Sequence, residues 1–175
     1  YEYCDILVTG SGPSGLASAY AAAKNGAKVI LAEEKPRFGG SLLTSDVNIG
    51  NQTGHEWADK IISELKTMPN VIVKNRSQVF GYYDHNMLVM SERVSDHLPK
   101  TDKYIPKQRL WYIRAKEVVI SSGSIERPLV FGNNDTPGVM LSSAAKEYIK
   151  IYGVLVGKKP LIFTNNDSGY ETAIE

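Results

Sequence analysis

The stretch CDILVTGSGPSG, residues 4–15, decides the fold because a short apolar run leads directly into a glycine-rich turn. The consecutive apolar residues within Cys4–Thr9 are typical of a parallel-sheet strand that is covered on both faces. The alanine-rich stretch Leu16–Lys24 predicts a helix after the turn, and Lys28–Ala32 predicts a second strand. Strand, glycine turn, helix and strand within about 30 residues together predict a βαβ unit.

The glycines of the turn follow the spacing G-x-G-x-x-G. Gly10 permits the tight turn, Gly12 lets a pyrophosphate approach the backbone, and Gly15 lets the helix pack closely on the strand. The N–H groups that begin the helix lack partners, and the helix dipole favours an anion there. We therefore predict a pyrophosphate-binding turn that includes Pro13 and Ser14. A purely structural strand–turn–helix without a ligand is the alternative.

An acidic residue stands where the adenosine ribose of a dinucleotide would lie. Glu33 comes 18 residues after Gly15, at the end of the second predicted strand. Its carboxylate can accept both ribose hydroxyl hydrogens and would repel a 2′-phosphate, which favours NAD or FAD over NADP. Glu34 and Lys35 follow beside the expected ribose. They are candidate contacts, with an exposed start of the next loop as the alternative.

A second glycine pair, Gly39-Gly40, comes shortly after Glu33. It indicates either a flexible turn or a second close approach of the backbone to the dinucleotide. In the second case Ser41 could donate a hydrogen bond to the ligand.

The rest of the chain predicts an α/β fold: a Rossmann-like parallel sheet with an antiparallel β-meander inserted at about residues 77–115. The dinucleotide-binding domain is expected over residues 1–157, and residues 158–175 would begin a second domain of similar type. The further predicted elements are helices at 56–67 and 141–152 and strands at 71–73, 79–83, 87–90, 109–115, 118–120 and 161–164.

Composition excludes several classes of protein. The 175 residues carry 20 Lys and Arg against 19 Asp and Glu, a net charge of +1, which offers no broad positive field for nucleic acid or an anionic membrane. Cys4 is the single cysteine, so no internal disulfide or cysteine-based zinc cluster can form. No apolar run is long enough to span a bilayer and no secretory leader is visible, so we expect a cytoplasmic protein.

No catalytic or metal-binding set is predicted. His55, His85 and His97 are widely separated, which leaves no pair with metal-ligand spacing. The sequence has no G-x-S-x-G nucleophile elbow, and one cysteine cannot supply the redox pair of a disulfide reductase.

Several of these segments resemble known flavoproteins. Glu33, five residues and then Gly39-Gly40 resemble the family with two FAD/NAD(P)-binding domains, and Ser121-Ser122-Gly123 stands where that family has Ala-Thr-Gly. More specific segments are similar to the α subunit of heterotetrameric sarcosine oxidase, namely residues 79–86, 92–94, 125–131, 133–141 and 163–167.

The resemblance implies a cofactor and partners. In that family this domain of the α subunit holds NAD, while FAD lies in the β subunit and FMN lies between α and β. The other subunits would therefore be partners of this chain. By motif position, the residues implied to line NAD are Ser14, Glu33, Glu34, Lys35 and Ser41, with backbone groups of Val79 at the adenine and with Ser122 and Gly123 on the pyrophosphate side.

The expected function is therefore an NAD-binding module of an amine-oxidising flavoenzyme complex, which holds NAD and scaffolds partner subunits rather than carrying the oxidation site. A stand-alone FAD-binding oxidoreductase domain is one alternative, and a nucleotide-free structural or interaction domain is another. A second NAD(P)H site is not expected, because residues 165–170 lack a glycine fingerprint after the predicted strand 161–164.

Overall fold

The computed structural model describes all 175 residues, which divide into two compact units, 1–123 and 124–175. The predicted domain boundary at residue 157 stays a prediction. No helix of the chain has both the length and the apolar character needed to cross a bilayer. The elements of unit 1 are β1 (Glu2–Thr9), α1 (Pro13–Lys24), β2 (Val29–Ala32), β3 (Asn48–Ile49), β4 (Gln52–Thr53), α2 (Gly54–Thr67), β5 (Val71–Lys74), β6 (Ser77–Tyr83), β7 (Met87–Arg93) and β8 (Gln108–Ile120), and those of unit 2 are α3 (Ser142–Tyr152) and α4 (Ser168–Ile174).

A six-stranded sheet in the order β5-β2-β1-β8-β7-β6 forms the centre of unit 1. The first four strands are parallel, and β8, β7 and β6 form an antiparallel meander. The α/β fold class and the inserted meander are therefore confirmed. The meander extends the sheet instead of forming a separate layer.

One long strand replaces the two strands predicted at 109–115 and 118–120. β8 pairs with β7 over its first half and with β1 over its second half. The polar residues Lys116 and Glu117 lie between the two predicted strands, but they are exposed and Glu117 lies opposite Ile6 of β1. Pairing with β7 up to Arg114 and with β1 from Ile113 onward therefore keeps the strand intact.

Apolar side chains cover both faces of the parallel strands, as the consecutive apolar runs predict. Val8 and Leu31 pack with Leu16 of α1 in one buried cluster, while their neighbours Leu7 and Ile30 pack in a second cluster with the meander. The packing places α1 directly behind the ends of β1 and β2.

Two glycines of the turn have no room for a side chain. A Cβ on Gly15 would lie 2.0 Å from the carbonyl oxygen of Gly10, and a Cβ on Gly10 would lie 2.3 Å from the carbonyl oxygen of Ser121. Gly10 also has a φ of +91°, a left-handed conformation that favours glycine. These two positions are therefore glycine because the fold requires it.

Cys4 lies in β1 with no exposed surface. Burial raises the pKa of its thiol to about 11 because the buried site disfavours the charged thiolate. A thiol that stays protonated is a poor nucleophile, which fits the core position.

A charged cluster ties the meander to β5. Glu92 of β7 accepts hydrogen bonds from Lys74 Nζ at 2.8 Å and from Trp111 Nε1 at 2.7 Å. Arg109 lies 3.3 Å from the same carboxylate. Burial raises the pKa of Glu92, but the hydrogen bonds from Lys74 and Trp111 together with the positive charges of Lys74 and Arg109 outweigh burial and hold this pKa below its ordinary value.

Unit 2 contains helices but no strand, so the strand predicted at 161–164 does not form. Leu161 is 95% exposed and Phe163 is 65% exposed. A strand needs a neighbour for its backbone N–H and C=O groups, and unit 2 offers none. The helix α4, which begins at Ser168, was not predicted from the sequence.

We predict that the glycines of the turn respond differently to alanine. Gly15→Ala should lower the free energy of unfolding by about 2 kcal/mol or more, because the new methyl group would overlap the Gly10 carbonyl. Gly12→Ala should cost about 1 kcal/mol or less, the difference between glycine and alanine at a helix N-cap. Denaturant unfolding of both variants measures the contrast, and equal losses would contradict it.

We also predict that Glu92 makes the chain sensitive to acid. Because its folded pKa is lowered, its contribution is present above the ordinary value of 4.5 and is lost as the pH falls through the lower folded pKa. Glu92→Gln should remove about 2 kcal/mol at neutral pH and flatten the loss of stability in acid. Unfolding as a function of pH tests this, with the exposed Glu117→Gln as the control that should leave the profile unchanged.

Candidate nucleotide-binding site

The carboxyl ends of β1, β2 and β8 meet at one edge of the sheet. Ser121 N, just after β8, donates to Thr9 O at 2.8 Å, and Gly10 N donates to Ala32 O at 2.8 Å. The loops that follow these strands are therefore neighbours. They carry most of the residues that the sequence singles out.

Gly12 is the open position of the glycine turn. It is the N-cap of α1, and a Cβ on it would meet no atom within 4 Å. Its φ of −65° suits any residue, so the fold does not require glycine here. Gly12 therefore differs from Gly10 and Gly15, and the space beside it is available to a ligand.

The start of α1 has the chemistry of an anion-binding position. Pro13 is the first helical residue, and no side chain caps the helix. Ser14 is exposed on the first turn. The first-turn N–H groups have no acceptor within the helix and sit at the positive end of its dipole. This arrangement suits a diphosphate.

Glu33 is buried, with 6% of its surface exposed, and both of its carboxylate oxygens accept hydrogen bonds. Oε2 accepts from Ser11 N at 2.8 Å and from Ser11 Oγ at 2.5 Å. Oε1 accepts from Lys35 N at 2.9 Å. These hydrogen bonds fix the carboxylate beside the glycine turn.

The second glycine pair returns to the first turn. Gly39 N donates to Ser11 O at 3.1 Å, and Gly40 lies so close that a Cβ on it would be 2.8 Å from Gly12 Cα. The Gly39-Gly40 loop therefore packs against the glycine turn, and its approach to a dinucleotide stays a prediction. Ser41 follows, exposed, in a short 3₁₀ turn at Gly40–Leu43.

A cleft of about 440 Å³ opens beyond Glu33. Ser77 N donates to Glu33 O at 2.8 Å, which places the first residues of β6 beside the loop after β2. The side chain of Val79 packs against the second buried cluster and does not line the cleft. The lining residues are Glu34, Lys35, Pro36, Arg76, Gln78, Ser91, Arg93 and Gln108.

The remaining predicted residues lie after β8. Ser122 and Gly123 are exposed, and Gly123 has a φ of +71° with open space at its Cβ position. They follow Ser121, whose carbonyl lies against Gly10. The structure thus brings the first glycine turn, Glu33, the Gly39-Gly40 loop and the end of β8 together at one edge.

Sequence reasoning missed Ser11, which is fully buried and bridges Glu33 and Gly39. Its signal was weak, because a serine between two glycines is ordinary turn composition. Arg76 and Gln78, which line the cleft, were also missed.

The sequence of the chain matches one family model and several known proteins. A family model described as "FAD dependent oxidoreductase" matches residues 5–89. The chain is 45% identical to the sarcosine oxidase subunit alpha of Rhizobium meliloti and 38% identical to that of Corynebacterium sp. strain U-96, in each case over 100% of this chain. The chain spans 18% of the length of each of these relatives.

A solved structure gives the same fold. The L-proline dehydrogenase of P. horikoshii superposes with a TM-score of 0.70 at 23% identity, covering 89% of this chain and 30% of that chain. At this identity the likeness concerns the fold alone.

The chain therefore resembles the sarcosine oxidase α subunit over its whole length, and its residues 5–89 match the model of the FAD-dependent oxidoreductase family.

Proposed function

We propose that unit 1 binds an adenine dinucleotide across the glycine turn. The observation that carries this proposal is Gly12. At Gly10 and Gly15 a methyl carbon would lie within 2.3 Å of a backbone oxygen, whereas a methyl carbon on Gly12 would meet no atom within 4 Å. A bare backbone position at an uncapped helix N-terminus is what a diphosphate needs for close approach.

The other groups of the site have matching roles in this proposal. The first-turn amides of α1 bind the diphosphate, and Glu33 binds a hydroxyl of the adenosine ribose. The adenine extends into the cleft beside Gln78, where Arg76 offers a planar cation for stacking. Ser122 and Gly123 lie on the diphosphate side. Val79 contributes backbone groups at most, because its side chain is packed.

FAD is the first candidate for the dinucleotide, because the matching family model is described as FAD-dependent. NAD is the second candidate and is the cofactor that the resemblance to sarcosine oxidase α subunits implies. The adenosine and diphosphate contacts are common to both. When bound, FAD would supply two-electron oxidation of a substrate, whereas the residues of this chain would bind and orient it.

We further propose that the chain works within an amine-oxidising flavoenzyme assembly, as the similarity to sarcosine oxidase α subunits supports. No residue of this chain is proposed as catalytic. Its role is to hold the dinucleotide and to scaffold partner subunits, for which the resemblance implies a β subunit with FAD and an FMN at the interface.

The first prediction from this proposal concerns Gly12. Gly12→Ala should weaken the binding of FAD or NAD by about tenfold or more, because the methyl group fills the space for the diphosphate. Gly132→Ala is the matched control: Gly132 lies in unit 2, and a Cβ there also meets nothing within 4 Å. Calorimetric titration of both variants and the parent chain measures the effect.

Unchanged affinity in Gly12→Ala would overturn the proposed diphosphate position. A chain whose melting temperature rises with neither FAD nor NAD would favour the nucleotide-free structural domain, because a ligand that binds the native state must stabilise it.

The second prediction concerns cofactor identity. Nucleotide released from the purified chain by denaturation should show the visible absorption of a flavin if FAD is bound. Adenine absorption without a flavin band would identify NAD and reverse the order of the two candidates. A bound nucleotide could be lost during purification, so titration of the nucleotide-free chain with FAD and with NAD is the control.

A further inference from the structure

The chain's own hydrogen bonds fill most of the acceptor capacity of Glu33. A carboxylate has roughly four lone-pair positions for hydrogen bonds. Ser11 N and Ser11 Oγ occupy two positions on Oε2, and Lys35 N occupies one on Oε1. About one position therefore remains, on Oε1.

A ribose presents two hydroxyl donors to this carboxylate. Two backbone amides hold Glu33 and cannot turn away without moving the loop, but the third donor is a side-chain hydroxyl. At 2.5 Å, the Ser11 Oγ contact has the short distance of a charge-assisted O–H···O bond. It occupies the position that a second ribose hydroxyl would otherwise take.

The Gly39 loop keeps a backbone hydrogen bond to Ser11 when this hydroxyl is removed. Gly39 N already donates to the backbone oxygen of Ser11 at 3.1 Å, and its contact with Ser11 Oγ is longer, at 3.2 Å. Glu33 likewise keeps its two backbone amides without the hydroxyl. The effect that is specific to the Ser11 hydroxyl is therefore on the free acceptor positions of Glu33.

We propose that Ser11 is a specificity-determining residue that restricts Glu33 to a single ribose hydroxyl. This inference rests on the proposed dinucleotide function and adds to it a selection between the two hydroxyls. The sequence alone predicts that Glu33 accepts hydrogen bonds from both ribose hydroxyls. The structure changes this expectation because it shows the Ser11 hydroxyl on the same carboxylate.

The test uses ADP, the part that FAD and NAD share, together with 2′-deoxy-ADP and 3′-deoxy-ADP. With the full parent chain, one deoxy compound should bind about tenfold or more weakly than ADP, as expected for a lost hydrogen bond to a charged group. The other should bind within about twofold of ADP, because its missing hydroxyl has no acceptor on Glu33. Calorimetry gives all three dissociation constants.

Ser11→Ala frees the second position on Oε2, so both deoxy compounds should then bind about tenfold or more weakly than ADP. A merely structural role would change the three affinities in parallel and leave their ratios unchanged. Ser63→Ala on the exposed side of α2 is the matched control and should keep the parent pattern.

Equal losses for both deoxy compounds in the parent chain, or a loss for neither, would overturn the inference while leaving the dinucleotide proposal intact. The affinities of the parent chain for ADP and the two deoxy compounds test the inference even if Ser11→Ala does not fold. An unchanged pattern in a folded Ser11→Ala chain would also overturn it. A parent chain that binds none of the three compounds would overturn the proposed function as well.

Discussion

The approach of the Gly15 backbone to the carbonyl of Gly10 is the constraint on which the rest of unit 1 depends. A methyl group at Gly15 would lie 2.0 Å from that oxygen, so only glycine lets α1 start directly behind the end of β1. This placement aims the free amides of the first helical turn at the edge where β1, β2 and β8 end. Gly12 lies between these two glycines, and a Cβ on it would meet no atom within 4 Å.

Local pattern was enough to predict the βαβ unit and the turn of the meander, because apolar runs and glycine punctuation specify them over short distances. It failed where pairing between distant segments decided the outcome. Lys116 and Glu117 resemble a break between strands, yet β1 and β7 hold β8 continuous. Residues 161–164 have the composition of a buried strand, but no strand of unit 2 is present to pair with them.

The candidate site was predicted in its parts, since the glycine spacing and Glu33 are visible as a pattern. Its internal hydrogen bonds were not, because they depend on how loops far apart in sequence meet. The contacts of Ser11 with Glu33 and Gly39 are of this kind. The same holds for the difference between Gly12, which is open, and Gly10, which is closed by Ser121. Gly10 is therefore required by the packing of the fold, whereas Gly12 is not.

The continuity of β8 has a consequence for how the polypeptide acquires its structure. Thr9 of β1 pairs with Ile120 of β8, which comes far later in the chain. As the ribosome produces the polypeptide, the first strand has one unsatisfied edge until nearly all of unit 1 has been synthesised. Closing such a distant pairing is slow compared with forming local helices, and open strand edges invite wrong partners. Newly made chains would therefore benefit from chaperone protection during that interval.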